Sequence, residues 1–387
     1  MDFQLTDEQR AIEENVAAIF KDFDDDYWLT RDREGGFPED FYQTMAEAGW
    51  LGIVLPEDVG GSNLGVTEAA LMMSTIANKG GMQAASAIHM NIFGPKAISS
   101  HANKAQQQAW LPDLIHGKSK TCFAVTEPNI GLDTTNVATR AERTNTGYVI
   151  NGRKVWTSTA QVADKVILLA RTTPKEQCEK PIDGLSLFYT DMNRDFVDVR
   201  EIEKMGRKAV DSNELFIDGL PVPKDHLIGE EGKGFRYLLE SLNPERILVG
   251  AEAVGIGRDA LRRATTYAQD REVFGRPIGQ NQAIQHPLAE SWIELEAAWL
   301  LCMKAATLFD AGEPCGAEAN AAKFYGGEVG FKACDRAILT HGGMGYAKEF
   351  HVERLMREIM ICRLAPISQQ LVLCYIAERA LDLPKSY

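Results

Sequence analysis

Tyr148-Val149-Ile150-Asn151-Gly152-Arg153-Lys154-Val155-Trp156-Thr157-Ser158 is where the texture of this chain turns away from helix. β-Branched and aromatic residues gather at 148–150 and again at 155–158, and Asn151-Gly152 between them is a turn dipeptide of two-residue hairpins. Moving outward, runs of the same kind occur at 121–125, 166–170, 185–189 and 215–217, with Asn145-Thr146-Gly147 as a further turn signal. Short β-rich runs broken by turn residues predict a compact, mostly antiparallel, barrel-like β unit.

Both flanks read as helix. Thr6-Asp7-Glu8-Gln9 has capping-box spacing and opens the pattern Ile12, Val16, Ile19, Phe20. Pro38 is placed to begin a second helix and Gly49 to end it; Gly80-Gly81 is read as the close of a third, and Gly117 follows a fourth that begins near Lys104. The helical period returns after Gly234, with Asn243-Pro244 read as N-cap and first position of a long helix. Amphipathic stretches at 244–268, 281–311, 317–340 and 350–380 imply a four-helix bundle. The expected fold is α+β, with an N-terminal α-helical domain at 1–118, a middle β domain at 119–232 and a C-terminal helical bundle at 233–387.

Composition narrows the function. The 387 residues are 45% hydrophobic and 25% charged, ordinary for a globular protein. A net charge of −14 without a dense basic run argues against nucleic acid. Seven scattered cysteines with no Cys-x-x-Cys suggest reduced thiols in a cytoplasmic setting, and no metal site is expected. No apolar run reaches the ~18 residues of a membrane span, and Met1-Asp2-Phe3-Gln4 does not open a secretory signal. Gly255-Ile256-Gly257-Arg258-Asp259-Ala260 fits a loose dinucleotide fingerprint but lies in a helical pattern with no strand before it, so close helix packing explains it better. Gly229-Glu230-Glu231-Gly232-Lys233-Gly234 reads as a hinge.

Several segments together resemble the acyl-CoA dehydrogenase family over essentially the whole chain. They are Leu55-Pro56-Glu57-Asp58-Val59-Gly60-Gly61, Ala124-Val125-Thr126-Glu127-Pro128, Asn151 to Ser158, Gly232-Lys233-Gly234-Phe235, Arg271-Glu272-Val273-Phe274-Gly275-Arg276-Pro277-Ile278, Gln282-Ala283-Ile284-Gln285, His341-Gly342-Gly343-Met344-Gly345-Tyr346 and Arg357-Glu358. The resemblance implies an FAD enzyme of fatty or branched-chain acyl metabolism. It would remove the α-proton and β-hydride of an acyl-CoA and pass electrons to an electron-transferring flavoprotein or similar acceptor. It also implies a homodimer or homotetramer. The same fold serves acyl-CoA oxidases, enoyl-CoA reductases and flavin monooxygenases, and a non-catalytic flavoprotein is a further alternative.

By this resemblance Val125 and Thr126 meet the isoalloxazine ring, Trp156 packs on it and Ser158 bonds near N5. Arg271 reaches the FAD pyrophosphate of a neighbouring subunit, where a guanidinium suits two phosphate oxygens. Phe274, Gln282, Gly342 and Gly343 belong to that rim, and Ser368 and Gln370 supply C-terminal cofactor contacts. The base found in many members near the C-terminus falls at Pro366, which cannot take a proton. The isovaleryl- and long-chain-type branches carry it in a Glu-Arg-hydrophobic context after the β domain, and here that context is Glu245-Arg246-Ile247. Glu245 is therefore the expected base, with Arg246 beside it for substrate. Placed in the first helical turn, Glu245 would have its basicity lowered by the helix dipole and raised by desolvation only in the substrate complex. Leu132 at the family's usual serine position and Leu339 at a usual glutamine remove two expected contacts.

Overall fold

The protein is described by a computed structural model covering residues 4–386, so Met1, Asp2 and Phe3 of the opening stretch lie outside the described residues. Six helices come first. Helix α1 (Asp7–Ile19) opens on the expected capping box: Thr6 Oγ1 accepts from Gln9 N–H at 3.1 Å, and Gln9 Oε1 accepts from Thr6 N–H at 3.1 Å. Helix α2 (Asp25–Glu34), not anticipated, is capped by Asp24 and buries Trp28 and Leu29. Pro38 does precede α3 (Glu39–Glu47), and Gly49 follows it in the left-handed region at φ 82°.

Helix α4 (Val66–Phe93) is broken where Gly80-Gly81 is read as a close: Gly81, at φ 78° and ψ −169°, is non-helical, and a second helical segment runs on after the kink. A Cβ on Gly81 would lie 2.5 Å from Arg354 Nη1 and 2.6 Å from Glu358 Oε2, so the glycine at the break also makes room for a buried ion pair. Helices α5 (Lys96–His101) and α6 (Lys104–Ile115) complete the N-terminal layer, and Gly117 follows at φ 67°.

Strands β1 (Thr121–Ala124), β2 (Arg140–Arg143), β3 (Gly147–Ser158), β4 (Lys165–Arg171), β5 (Leu185–Asp191), β6 (Val197–Glu201) and β7 (Ser212–Pro223) form one curled sheet. Its order is β1-β4-β2-β3-β7-β6 with β5 on β4; β1·β4 and β2·β4 are parallel and the other pairings antiparallel. The turn at 144–147 is present, with Thr144 N–H donating to Gly147 C=O at 2.9 Å. The hairpin expected at Asn151-Gly152 is not. Strand β3 runs through it with a register shift, and Gly152 lets Thr139 approach to where a Cβ would lie 2.3 Å from its Oγ1.

Helix α7 (Gly234–Asp270) begins ahead of the expected Asn243 cap. Pro244 lies inside it and removes one intrahelical donor, a loss outweighed by burial of the following turns. A two-stranded ribbon, β8 (Glu272–Val273) and β9 (Arg276–Pro277), leads to α8 (Gln282–Asp310) and α9 (Gly316–His341). The fourth expected helix divides into α10 (Val352–Ile359), α11 (Ile361–Leu364) and α12 (Gln369–Arg379); Pro366, which cannot continue a helix, accounts for the break between α11 and α12. Among the described residues no single helix is long and apolar enough to cross a membrane.

The glycines of α7 are packing surfaces, as their helical context implies. A Cβ on Gly255 would stand 2.3 Å from Ser74 C=O of α4, and one on Gly257 3.1 Å from Gly330 Cα of α9. Gly255→Ala is expected to lower the unfolding free energy by about 1–3 kcal/mol through forced separation of α4 and α7. A urea titration showing an unchanged midpoint would contradict this packing.

Candidate active site

Val125 and Thr126 leave β1 and lie beside the distal half of β3. Lys154 Nζ donates to Val125 C=O at 3.0 Å, and Val155 N–H donates to Thr126 C=O at 2.9 Å. The second register shift of β3, between Lys154 and Thr157, turns Trp156 outward at φ 61° with 59% of it exposed. A bulky residue at positive φ is strained, and an indole facing water gives up its burial. Both costs are intelligible if a planar apolar group covers the ring. Ser158 closes this wall, paired with Ser212 of β7, and Thr157 Oγ1 is buried without a partner among the described residues.

Beneath the wall sits an ion pair. Lys154 is fully buried and reaches Glu127 Oε1 at 3.0 Å, while the Glu127 carboxylate also accepts from the N–H groups of Ala138 and Thr139 at 2.8 and 2.9 Å. Burial pulls the Lys154 ammonium down to about 8; Lys154 and the two amides hold Glu127 below the usual carboxylate range. These residues stand in two of the quoted motifs, but nothing in their spacing reveals that they touch.

Glu245 lies more than two turns into α7, which corrects the expected first-turn placement and removes the dipole argument. Its half-buried carboxylate accepts no hydrogen bond among the described residues. Burial pushes its pKa up to about 7, against the lowering by His89 and Arg246 and with help from Glu252. The desolvation expected only with substrate is therefore built into the fold. Arg246 donates to Asn243 Oδ1 at 3.0 Å, its Nε is buried without a partner, and burial lowers its pKa.

Rings connect this carboxylate to the sheet. His89 of α4, close enough to Glu245 to affect its ionisation, lies 4.9 Å from the Phe93 ring, which lies 5.4 Å from Phe123 of β1, two residues before Val125. The base candidate and the Val125–Ser158 wall thus face one interdomain region. On its other side Lys323 of α9, fully buried and pulled down to about 8, donates to Ile367 C=O at 2.7 Å and to Gln369 Oε1 at 3.2 Å. It ties down the segment where Ser368 caps α12 and Gln370 stands exposed. The sequence reading missed Lys323, although a lysine in a small-residue helical run was a visible signal.

Arg271, Phe274, Gln282, Gly342 and Gly343 group elsewhere, all exposed. Arg271 N–H donates to Tyr267 C=O at 2.9 Å, and Tyr267 stacks on His341 at 4.3 Å, immediately before Gly342. Phe274 tips the β8–β9 ribbon, entirely exposed at φ 56°. Leu132 at φ 65° and Leu339 are also exposed. The single chain therefore presents two groups of expected cofactor residues, one in the interdomain region and one on an outer rim.

Residues 6–118, 122–220 and 232–381 match the N-terminal, middle and C-terminal domains of acyl-CoA dehydrogenase. The chain is 33% identical over 398 aligned positions to acyl-CoA dehydrogenase fadE12 of Mycobacterium bovis, covering 100% of this chain and 99% of that protein. It is 37% identical over 362 positions to benzylmalonyl-CoA dehydrogenase of Aromatoleum aromaticum, covering 93% and 94%. The solved glutaryl-coenzyme A dehydrogenase–glutaryl-CoA complex superposes with a TM-score of 0.94 at 30% identity, covering 100% of this chain and 98% of that one.

The chain belongs to the acyl-CoA dehydrogenase family. It is an oxidoreductase acting on CH–CH donors, a flavoprotein with FAD as its cofactor. The exposed, strained Trp156 and the orphaned Thr157 hydroxyl beside it fit such a group.

Glu127→Gln leaves Lys154 buried against a neutral amide and is expected to cost about 3–5 kcal/mol. Loss of thermal stability of that size, measured by calorimetry, checks it; a melt within a degree of wild type contradicts it. Trp156→Ala is expected to weaken FAD retention by about tenfold with little effect on unfolding of the apoprotein, read by equilibrium dialysis.

Proposed function

We propose that this acyl-CoA dehydrogenase oxidises an acyl-CoA to the trans-enoyl thioester, with Glu245 as the base. The observation that supports the reading is Glu245 itself: a half-buried carboxylate whose pKa burial raises to about 7, on α7 beside His89, which packs through Phe93 on Phe123 of β1. A general base works best when its pKa lies near the operating pH. Pro366, at the position where many members carry their base, offers no proton acceptor.

FAD, when bound, supplies the acceptor for the β-hydride. The chain's residues do the rest. Glu245 takes the α-proton as the α C–H bond breaks, and its carboxylate becomes a neutral acid in apolar surroundings that favour that form. Val125, Thr126, Trp156 and Ser158 line the wall for the ring, with Ser368 and Gln370 at the α12 end. Arg246 carries a buried, unsatisfied Nε for the substrate. The electron pair leaves to an external acceptor such as an electron-transferring flavoprotein.

Phe274, Leu339, Met344 and Tyr346 expose more apolar surface around Arg271, Gln282, Gly342 and Gly343 than one chain has reason to leave in water. This supports a homo-oligomer, a dimer or tetramer, in which Arg271 serves the FAD pyrophosphate of a neighbouring copy. The seven free cysteines support a reducing, cytoplasmic setting.

Glu245→Gln is expected to slow anaerobic flavin bleaching by acyl-CoA about 10²- to 10⁴-fold while FAD stays bound. Only ionised Glu245 accepts a proton, so wild-type kcat/KM should rise with pH and level off above about 7. Fast bleaching by the variant, or a profile that falls through that range, would refute the assignment.

A further inference from the structure

Glu252 stands seven residues after Glu245 on α7, two turns on, so the two carboxylates share one helix face with about 10 Å of axial rise between them. It is fully buried in the apolar run that includes Val249, Ala251 and Ala253. Its Oε1 meets His89 Nδ1 at 2.7 Å; its Oε2 is buried with no partner among the described residues. His89 packs on Phe93 and keeps part of its side chain exposed. Arg207, from the loop between β6 and β7, reaches in to donate to Ser86 Oγ of α4 at 2.9 Å, and its charge bears on both His89 and Glu252.

A purely structural ion pair would use both carboxylate oxygens, because an unsatisfied buried acceptor keeps its full desolvation cost. A plain hydrocarbon chain running from Glu245 along this face would leave Oε2 bare. We infer that the His89–Glu252 pair is a specificity-determining subsite for an acyl group that carries a hydrogen-bond donor, a hydroxyl or an ammonium, remote from the thioester. This rests on Glu245 marking the α-carbon. The donor bonds Glu252 Oε2, while His89 holds the carboxylate in place through Oε1. A carboxylate-ended chain would meet Glu252 as a like charge and be rejected.

The test uses hexanoyl- and octanoyl-CoA ended by methyl, hydroxyl, ammonium or carboxylate at the ω-carbon. Binding is measured calorimetrically on FAD-loaded Glu245→Gln, which holds the thioester without rapid turnover, and bleaching is followed on the wild type. Hydroxyl- or ammonium-ended chains should bind about tenfold or more tightly than methyl-ended ones of equal length. A further His89→Leu/Glu252→Leu change should reverse that order. Glu252→Gln, closest in shape, should erase the ammonium advantage and keep part of the hydroxyl advantage, which tests the subsite even if the double change fails to fold. Methyl- or carboxylate-ended chains binding as well or better, or an order unmoved by Glu252→Gln, would overturn the subsite. Donor preference in binding without wild-type bleaching would uphold the subsite and sink the dehydrogenation; bleaching without donor preference would do the reverse.

Discussion

A half-buried carboxylate whose pKa burial raises to about 7 is the constraint around which this molecule is arranged. Left in water Glu245 would be a weak base, and in the first turn of a helix it would be weaker still. The fold avoids both by starting α7 at Gly234, carrying it through Pro244, and pressing the next turns against α4 and α9 along Gly255 and Gly257.

A buried charge pair does the corresponding work on the sheet side. Lys154 and Glu127 satisfy each other, one carbonyl and two amides, and so lock the end of β1 to the bulged half of β3. Against that rigid base the chain can hold Trp156 at positive φ with its indole outward. Local strain persists where surrounding bonds over-determine it, and here they do.

Long-range ion pairs and hydrogen bonds fasten the sheet's loops to the helices. Arg357 of α10 bonds Asp32 of α2 at 2.7 and 2.9 Å and also Met205 C=O of the β6–β7 loop, whose Arg207 enters the helices. Fixing that loop against the helices orders the region between sheet and bundle, where a thioester must be shielded from water.

By itself the sequence determined the order helix, sheet, helix, which follows from hydrophobic period and turn residues, and the family, which follows from its ordered motifs; Glu245 as candidate base came only from the resemblance. It misplaced what depends on contacts distant along the chain. Asn151-Gly152 looked like a hairpin and Asn243-Pro244 like a helix start, since local propensity favours both readings. A register shift and packing against α4 and α9 overrode them in turn. The tertiary structure alone decided that Glu245 is desolvated before any substrate arrives, that Lys154 meets Glu127, and that Glu252 keeps an unsatisfied oxygen on the same face. Burial and charge pairing are properties of space, and residue spacing along a chain does not encode them locally.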